Sequence, residues 1–226
     1  MEKFSVKDAA GGERSFPVLG AEACGAAGCE ERRDAAESRR RILDAARTLF
    51  SDRGVEAVSM YEIGREAGVG QGTLYRRYEH KGALCMALLR ESIEHFAEEV
   101  RSRLENDDEP ALEQLEYLLA RLTRFNEENA PLLGAIRDAA GGARRFGVYR
   151  NPFYRWLRTT VIVLLERGVG GGEVPADLDV EYLSDAILAP MNIDLYLFQR
   201  QELHMEPVRI TSSLWALISD GLRGRR

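Results

Sequence analysis

Hydrophobic positions recur along most of this chain at three- and four-residue steps, the period of a helix that packs on one face. Ile42, Ala45, Ala46, Leu49 and Phe50 form the first such stripe and Gly54 closes it, predicting a helix from about Glu37. Ser59 opens the stretch "SMYE", in which its hydroxyl can accept the Glu62 amide proton while the Glu62 carboxylate reaches back. A second helix starts there, carries Tyr61, Ile63 and Ala67, and stops at Gly68, where a positive φ is commonly needed. A third helix runs from about Gln71 to Tyr78. Leu74 and Tyr78 share one of its faces, and Gln71, Gly72, Tyr75 and Arg76 turn largely the other way. The fourth begins near Gly82 or Ala83 and continues through Leu84, Leu88, Ile93, Phe96 and Val100 to about Leu104.

Beyond Pro110 the pattern stays helical, over roughly 111–128, 131–140, 150–167, 179–202 and 207–222. The predicted breaks are Pro131, "AAGGA" at 139–143 and "GVGGGEVP" at 168–175, while Pro207 suits the first turn of the last helix. Pro190, inside the 179–202 segment, removes one hydrogen bond and predicts a bend beside Met191 and Asn192. No period-two alternation of useful length and no fixed repeat stand out. The fold class is therefore all-α with about nine helices: a small three-helix domain at 37–82 and a larger helical body at 83–226. Residues 1–36 have no periodic apolar pattern and read as a flexible extension.

Composition narrows the function. The 226 residues are 45% hydrophobic and 30% charged, ordinary for a globular protein. Apolar runs such as "VIVLL" at 161–165 fall far below the roughly 20 residues that span a bilayer, and charge interrupts "MEKFSVKDAAGGERSF" too often for a signal peptide. A cytoplasmic location is expected. Cys24, Cys29 and Cys85 with His80, His95 and His204 match no zinc spacing, so free thiols and no metal are expected. The net charge of −6 is unevenly spread: 37–82 carries nine Lys/Arg against seven Asp/Glu, while 83–226 carries 17 against 23. A small basic segment on an acidic body fits a nucleic-acid reader.

The stretch "AGVGQGTLYRRYEHK", Ala67–Lys81, decides between two chemistries. A phosphate loop needs a strand feeding its glycines and a Gly-Lys-Ser/Thr or dinucleotide spacing. Here a capped helix precedes Gly68, Gly70 and Gly72, and neither spacing is present. Two short helices joined by a three- to four-residue glycine turn instead describe a helix-turn-helix, whose second helix enters the major groove. Gln71 can offer its amide to a base edge, Gly72 admits close backbone approach, and Thr73, Tyr75, Arg76, Arg77 and Lys81 can bond phosphate oxygens.

From Arg39 to Leu89, about a fifth of the chain, the sequence resembles the TetR-type one-component transcriptional regulators. The resemblance rests on "ILDAARTLF", Gly54, the Ser59-capped helix, Ala67-Gly68-Val69, Gly72-Thr73-Leu74-Tyr75, the aromatic Tyr78 and Lys81 just beyond. It implies that Gln71 and Gly72 face bases, that Thr73 and Tyr75 contact backbone or bases, and that Lys81 anchors a phosphate. Gly70 stands where the family usually has a serine or threonine cap, and Arg77-Tyr78 replace a common His-Phe pair, which loosens the assignment of Arg77.

The resemblance further implies a homodimer on a palindromic operator, its last two helices forming the interface, with a small-molecule effector bound in the body and no cofactor. A repressor released by its effector is the expected form, while repression versus activation is not written in the residues. Candidate effector-pocket walls are Tyr117, Phe125, Phe146, Tyr149, Phe153, Trp156, Met191, Asn192 and Tyr196, aromatic with a few polar groups as ligand cavities tend to be. Ordinary core is the competing role for each of these. Two alternatives stand beside the regulator: a ligand-independent DNA-binding protein, and a nucleotide-binding enzyme using the Gly68–Gly72 loop. No catalytic constellation is visible.

Overall fold

The computed structural model of the chain describes residues 3–7, 13–17, 29–106, 108–140 and 147–222, with side chains over 34–106, 108–139 and 149–222. Its helices are α1 (Cys29–Arg53), α2 (Met60–Glu66), α3 (Gln71–Arg77), α4 (Lys81–Leu104), α5 (Ala111–Ala140), the single turn α6 (Gly147–Arg150), α7 (Pro152–Gly170), α8 (Val180–Leu188), α9 (Ile193–Gln201) and α10 (Pro207–Leu222). The body of the fold is all-α.

Four sequence readings need correction. Residues Lys3–Lys7 (β1) and Glu13–Pro17 (β2) pair as an antiparallel hairpin, Phe4 opposite Phe16, and run alongside α7. Lys3-Phe4-Ser5-Val6-Lys7 does alternate polar and apolar over an ordinary strand length, a single short signal amid small and charged residues. α1 begins at Cys29, well before Glu37. Six of the eight residues in "CEERRDAA", the Glu, Arg and Ala, are strong helix formers without an apolar stripe, so propensity rather than periodicity extends the helix. Pro131 does not break α5, which runs on to Ala140. Its missing N–H leaves the Glu127 carbonyl without that bond, a loss of about 3 kcal/mol for an interior proline. Packing of half-buried Leu132 and buried Ala135 against Val55, Phe50 and Cys85 works against this loss. At Pro190 the helix is interrupted rather than bent: Ala189–Met191 form a 3-10 turn, and Asn192 caps α9 by accepting the Asp194 amide at 2.9 Å.

The chain separates into two compact units. One comprises Glu22–Ser92 and Asn129–Arg144. Its core joins Ile42 and Ala46 of α1, Val58, Ile63 of α2, Leu74 of α3, and Leu84 and Leu88 of α4, with Leu49, Phe50 and Leu132 packed against them. This unit reaches past position 82, where the sequence reading drew its boundary. Gly82 makes the reach possible, because a β-carbon there would lie 2.5 Å from Ala139 Cβ and 3.2 Å from the Ala135 carbonyl oxygen. Cys85 is buried here, and burial pushes its thiol up to about 11. Cys24 and the side chain of Cys29 lie outside the described residues.

The other unit contains Ile93–Glu128, Arg145–Arg226 and the hairpin. Phe96, Leu115, Leu118, Leu119, Val161, Leu164 and Leu165 are among its buried residues. Local chemistry fixes its helix ends: Asn151 caps α7 by accepting the Phe153 amide at 2.8 Å. Glu173 caps α5 from 62 residues away, its carboxylate accepting the Ala111 and Leu112 amides at 2.8 and 3.0 Å. Among the described residues no helix is long and apolar enough to cross a membrane, and no three His, Cys, Asp or Glu side chains gather as metal ligands.

Candidate nucleic-acid interface

α2 is built from its first residue. The Ser59 hydroxyl accepts the Glu62 amide at 3.3 Å, and the Ser59 amide donates to Glu62 Oε2 at 2.8 Å, closing the capping box. Glu62 Oε1 also takes Arg53 Nη1 at 2.7 Å, tying the end of α1 to the start of α2. The Ser59 backbone amide, then the Arg53 guanidinium and the Ser59 hydroxyl, hold the Glu62 carboxyl down to about 2. Gly68 turns the chain with φ +62, and the Val69 amide closes the turn on the Gly64 carbonyl at 3.0 Å. Gly70 is the cap of α3 and brings no side-chain bond. The glycines thus lie between and within two helices, not behind a strand; among the described residues the strands are those of the N-terminal hairpin. This removes the geometric basis of the nucleotide-loop alternative.

α3 divides into an anchored and an outward edge. Leu74 and Tyr78 are buried in the unit's core. Gly72, Tyr75, Arg76 and Arg77 are exposed, Tyr75 by 49%, and Thr73 is half-buried. A β-carbon at Gly72 would meet nothing within 4 Å, so this position is open to a close approach. Among the described residues Arg76 and Arg77 form no ion pair, which leaves their donors available to phosphate. Tyr61, which the sequence places on the second helix without a face, is 62% exposed on α2. Three apolar positions in a seven-residue helix are too few to assign a face.

Two candidate contacts are engaged within the protein. Gln71 Nε2 donates to the Tyr61 carbonyl at 3.2 Å. Lys81 Nζ donates to the Val55 carbonyl at 2.8 Å and the Glu56 carbonyl at 3.3 Å, so two of its three N–H groups hold the loop between α1 and α2. Neither partner is readable from sequence, because each pairing spans ten or more residues through the tertiary fold.

The nine candidate pocket walls separate. Phe125, Phe153 and Trp156 pack together around Phe96, with ring centroids 5.2–6.2 Å apart. Phe96 was read only as an apolar helix position, since its partners come from α5 and α7. Tyr196 is buried and donates to Glu127 Oε2 at 2.6 Å, while Arg200 grips both Glu127 oxygens at 2.8 and 2.9 Å. Met191 is buried with its carbonyl accepting from Asn126 at 3.1 Å, and Asn192 is the α9 cap already described. Tyr117 lies under the Arg103 guanidinium, 5.2 Å away. Tyr149 is half-exposed and edge-on to Tyr154, and Phe146 lies outside the described residues. Tyr154 in turn donates to Asp185 at 2.9 Å beside Arg158; burial, then that bond, pushes its hydroxyl up to about 12.

The helix-turn-helix coincides with a known family signature. The sequence profile of the bacterial regulatory proteins of the tetR family matches residues 42–88, from within α1 to within α4. Over these residues the chain carries the DNA-binding domain of the TetR family. It is a DNA-binding transcriptional regulator. An HTH-type transcriptional regulator of Staphylococcus aureus (strain bovine RF122 / ET3-1) is 29% identical over 174 residues, spanning 77% of this chain and 88% of that protein. Among solved structures, Thermus thermophilus FadR, a TetR-family repressor in complex with lauroyl-CoA, superposes with a TM-score of 0.66 at 20% identity, over 83% of this chain and 96% of that one. Bacillus subtilis FadR in complex with stearoyl-CoA gives 0.61 at 18%, over 81% and 98%. These two establish likeness of fold.

Proposed function

We propose that this protein is a homodimeric repressor of the TetR type, with α3 of each copy reading half of a palindromic operator and a small-molecule effector in the helical body releasing it. One observation carries the DNA-reading part: α3 is held by Leu74 and Tyr78 while Gly72, Tyr75, Arg76 and Arg77 stand outward. In this reading the Arg76 and Arg77 guanidinium groups and one Lys81 N–H meet phosphates, and Gly72, Thr73 and Tyr75 lie at the groove floor. Dimerisation is supported by the α8–α10 segment, where Tyr182, Val208 and Leu217 are 70%, 77% and 75% exposed and Phe198 is half-exposed. Exposed large apolar side chains thus recur on each of these helices, Val208 and Leu217 on opposite faces of α10, and a second copy is the partner proposed to cover those on one face.

The effector has to favour the weak-binding state by its own differential affinity. Lauroyl-CoA and stearoyl-CoA, held by the two FadR neighbours, are the first probes. Binding that raises the melting temperature and weakens DNA binding supports the effector-released repressor. A second reading has its own support: the packed Phe96, Phe125, Phe153 and Trp156 rings fill the region expected to be a pocket, as in a regulator with no ligand. DNA binding unmoved by any ligand that stabilises the protein decides for that reading.

A further inference from the structure

The face of α2 beneath α3 contains a seat made by a missing side chain. Gly64 lies in the middle of α2 and is buried, and a β-carbon on it would stand 2.5 Å from Gln71 Nε2, 3.3 Å from Gln71 Cδ and 3.3 Å from Leu74 Cδ2. The Gln71 carboxamide occupies that space and donates to the Tyr61 carbonyl three residues earlier on the same helix. An interior helical glycine costs roughly 0.5–1 kcal/mol relative to alanine, so the position forgoes stability to keep the seat open. Gly68, Gly70 and Gly72 near it serve a turn, a cap and an open surface, and none receives a side chain in this way.

We propose that Gly64 is a specificity-determining position: by seating the Gln71 carboxamide on α2, it withholds from the DNA the one amide at the N-terminus of the recognition helix. A glutamine at the first position of α3 has the donor and acceptor needed for a bidentate contact with adenine, worth about 1–3 kcal/mol of discrimination. Seated on the Tyr61 carbonyl, the carboxamide has one of its two N–H groups directed to protein and is held back against α2, so the base pair below this end of α3 is left unread. A β-carbon at 64 meets the far end of a flexible side chain rather than backbone, so it displaces Gln71 without dismantling the helix pair. The displaced amide then extends from the exposed side of α3. Gly64 thus acts through Gln71, as a positioning residue.

The inference rests on the DNA-reading function proposed above, and the test separates the two. Binding-site selection from random duplexes is carried out with the full chain, Gly64→Ala, Gln71→Ala and the double variant. The expected result is one shared motif, with Gly64→Ala gaining about a tenfold preference at a single position of each half-site, absent from Gln71→Ala and abolished in the double variant. A Gly64→Ala motif identical to that of the native chain, or a gain that survives removal of Gln71, overturns the inference while leaving DNA reading intact. Failure of the native chain to enrich any motif overturns the function and the inference together. Should Gly64→Ala not fold, side-chain amide spectra of the native chain on the selected duplex decide: nuclear Overhauser contact between the Gln71 carboxamide and Gly64 Hα should persist, and its loss on DNA binding overturns the seat.

Discussion

Arg53 and Glu62 join the last turn of α1 to the first turn of α2 through a 2.7 Å ion pair, while the same carboxylate completes the Ser59 capping box. These contacts hold the Glu62 carboxyl near 2, against an ordinary value of 4.5. As acid is added the unfolded chain takes up this proton first, so the stabilisation is complete above 4.5 and disappears as pH falls toward 2. Glu62→Gln should flatten the decline of melting temperature across that window. Parallel declines for the two proteins would show that the pair contributes nothing to acid stability.

Gly72 in α3 and Gly82 in the first turn of α4 should respond oppositely to alanine. Gly72→Ala meets open space in a helix and should raise stability by up to about 1 kcal/mol, while reducing DNA affinity by tenfold or more through lost close approach. Gly82→Ala drives a β-carbon against Ala139 and the Ala135 carbonyl, and should destabilise by about 1–3 kcal/mol. Denaturant melts beside DNA titrations separate the two, and equal stability changes would contradict the packing described for Gly82.

Lys81 has a structural and a proposed functional part. Removing its ammonium leaves the Val55 and Glu56 carbonyls without their donor, so Lys81→Ala should cost about 1.5–3 kcal/mol of stability, the range for charged hydrogen bonds. If its remaining N–H meets a phosphate, binding to all sequences weakens alike and the salt slope flattens by about one unit. A destabilised variant with an unaltered salt slope would confine Lys81 to the loop.

Val208 and Leu217 test the subunit contact. Val208→Glu/Leu217→Glu places two charges on residues more than two-thirds exposed, so folding should survive with a melting curve close to the native one. Sedimentation should shift from dimer to monomer at micromolar concentration, with DNA affinity falling at least a hundredfold because each half-site is then bound alone. A variant that remains dimeric places the contact elsewhere.

The parts of this molecule legible in its sequence are those settled by chemistry within a few residues. The Ser59 box, the positive φ of Gly68, the burial of Leu74 and Tyr78, and Pro207 at the start of α10 all follow from local rules. Pro131 misleads because the packing of Leu132 and Ala135 that carries the helix past it lies in the fold rather than in the pattern. Gln71 and Lys81 carry the right atoms for DNA, yet their nearest acceptors are backbone carbonyls supplied by other elements. The proposed pocket suffers most, since Phe125, Phe153 and Trp156 are aromatic for a cluster with Phe96 as readily as for a ligand.

The central claim is that the outward edge of α3 reads DNA, and capture of bound DNA from cells, followed by sequencing, tests it most directly. The native chain should recover a small set of sites sharing a two-fold symmetric sequence with half-sites about one helical turn apart, and Arg76→Ala/Arg77→Ala should lose them. Fragments with no common sequence, or the same sites recovered by the arginine variant, would contradict it.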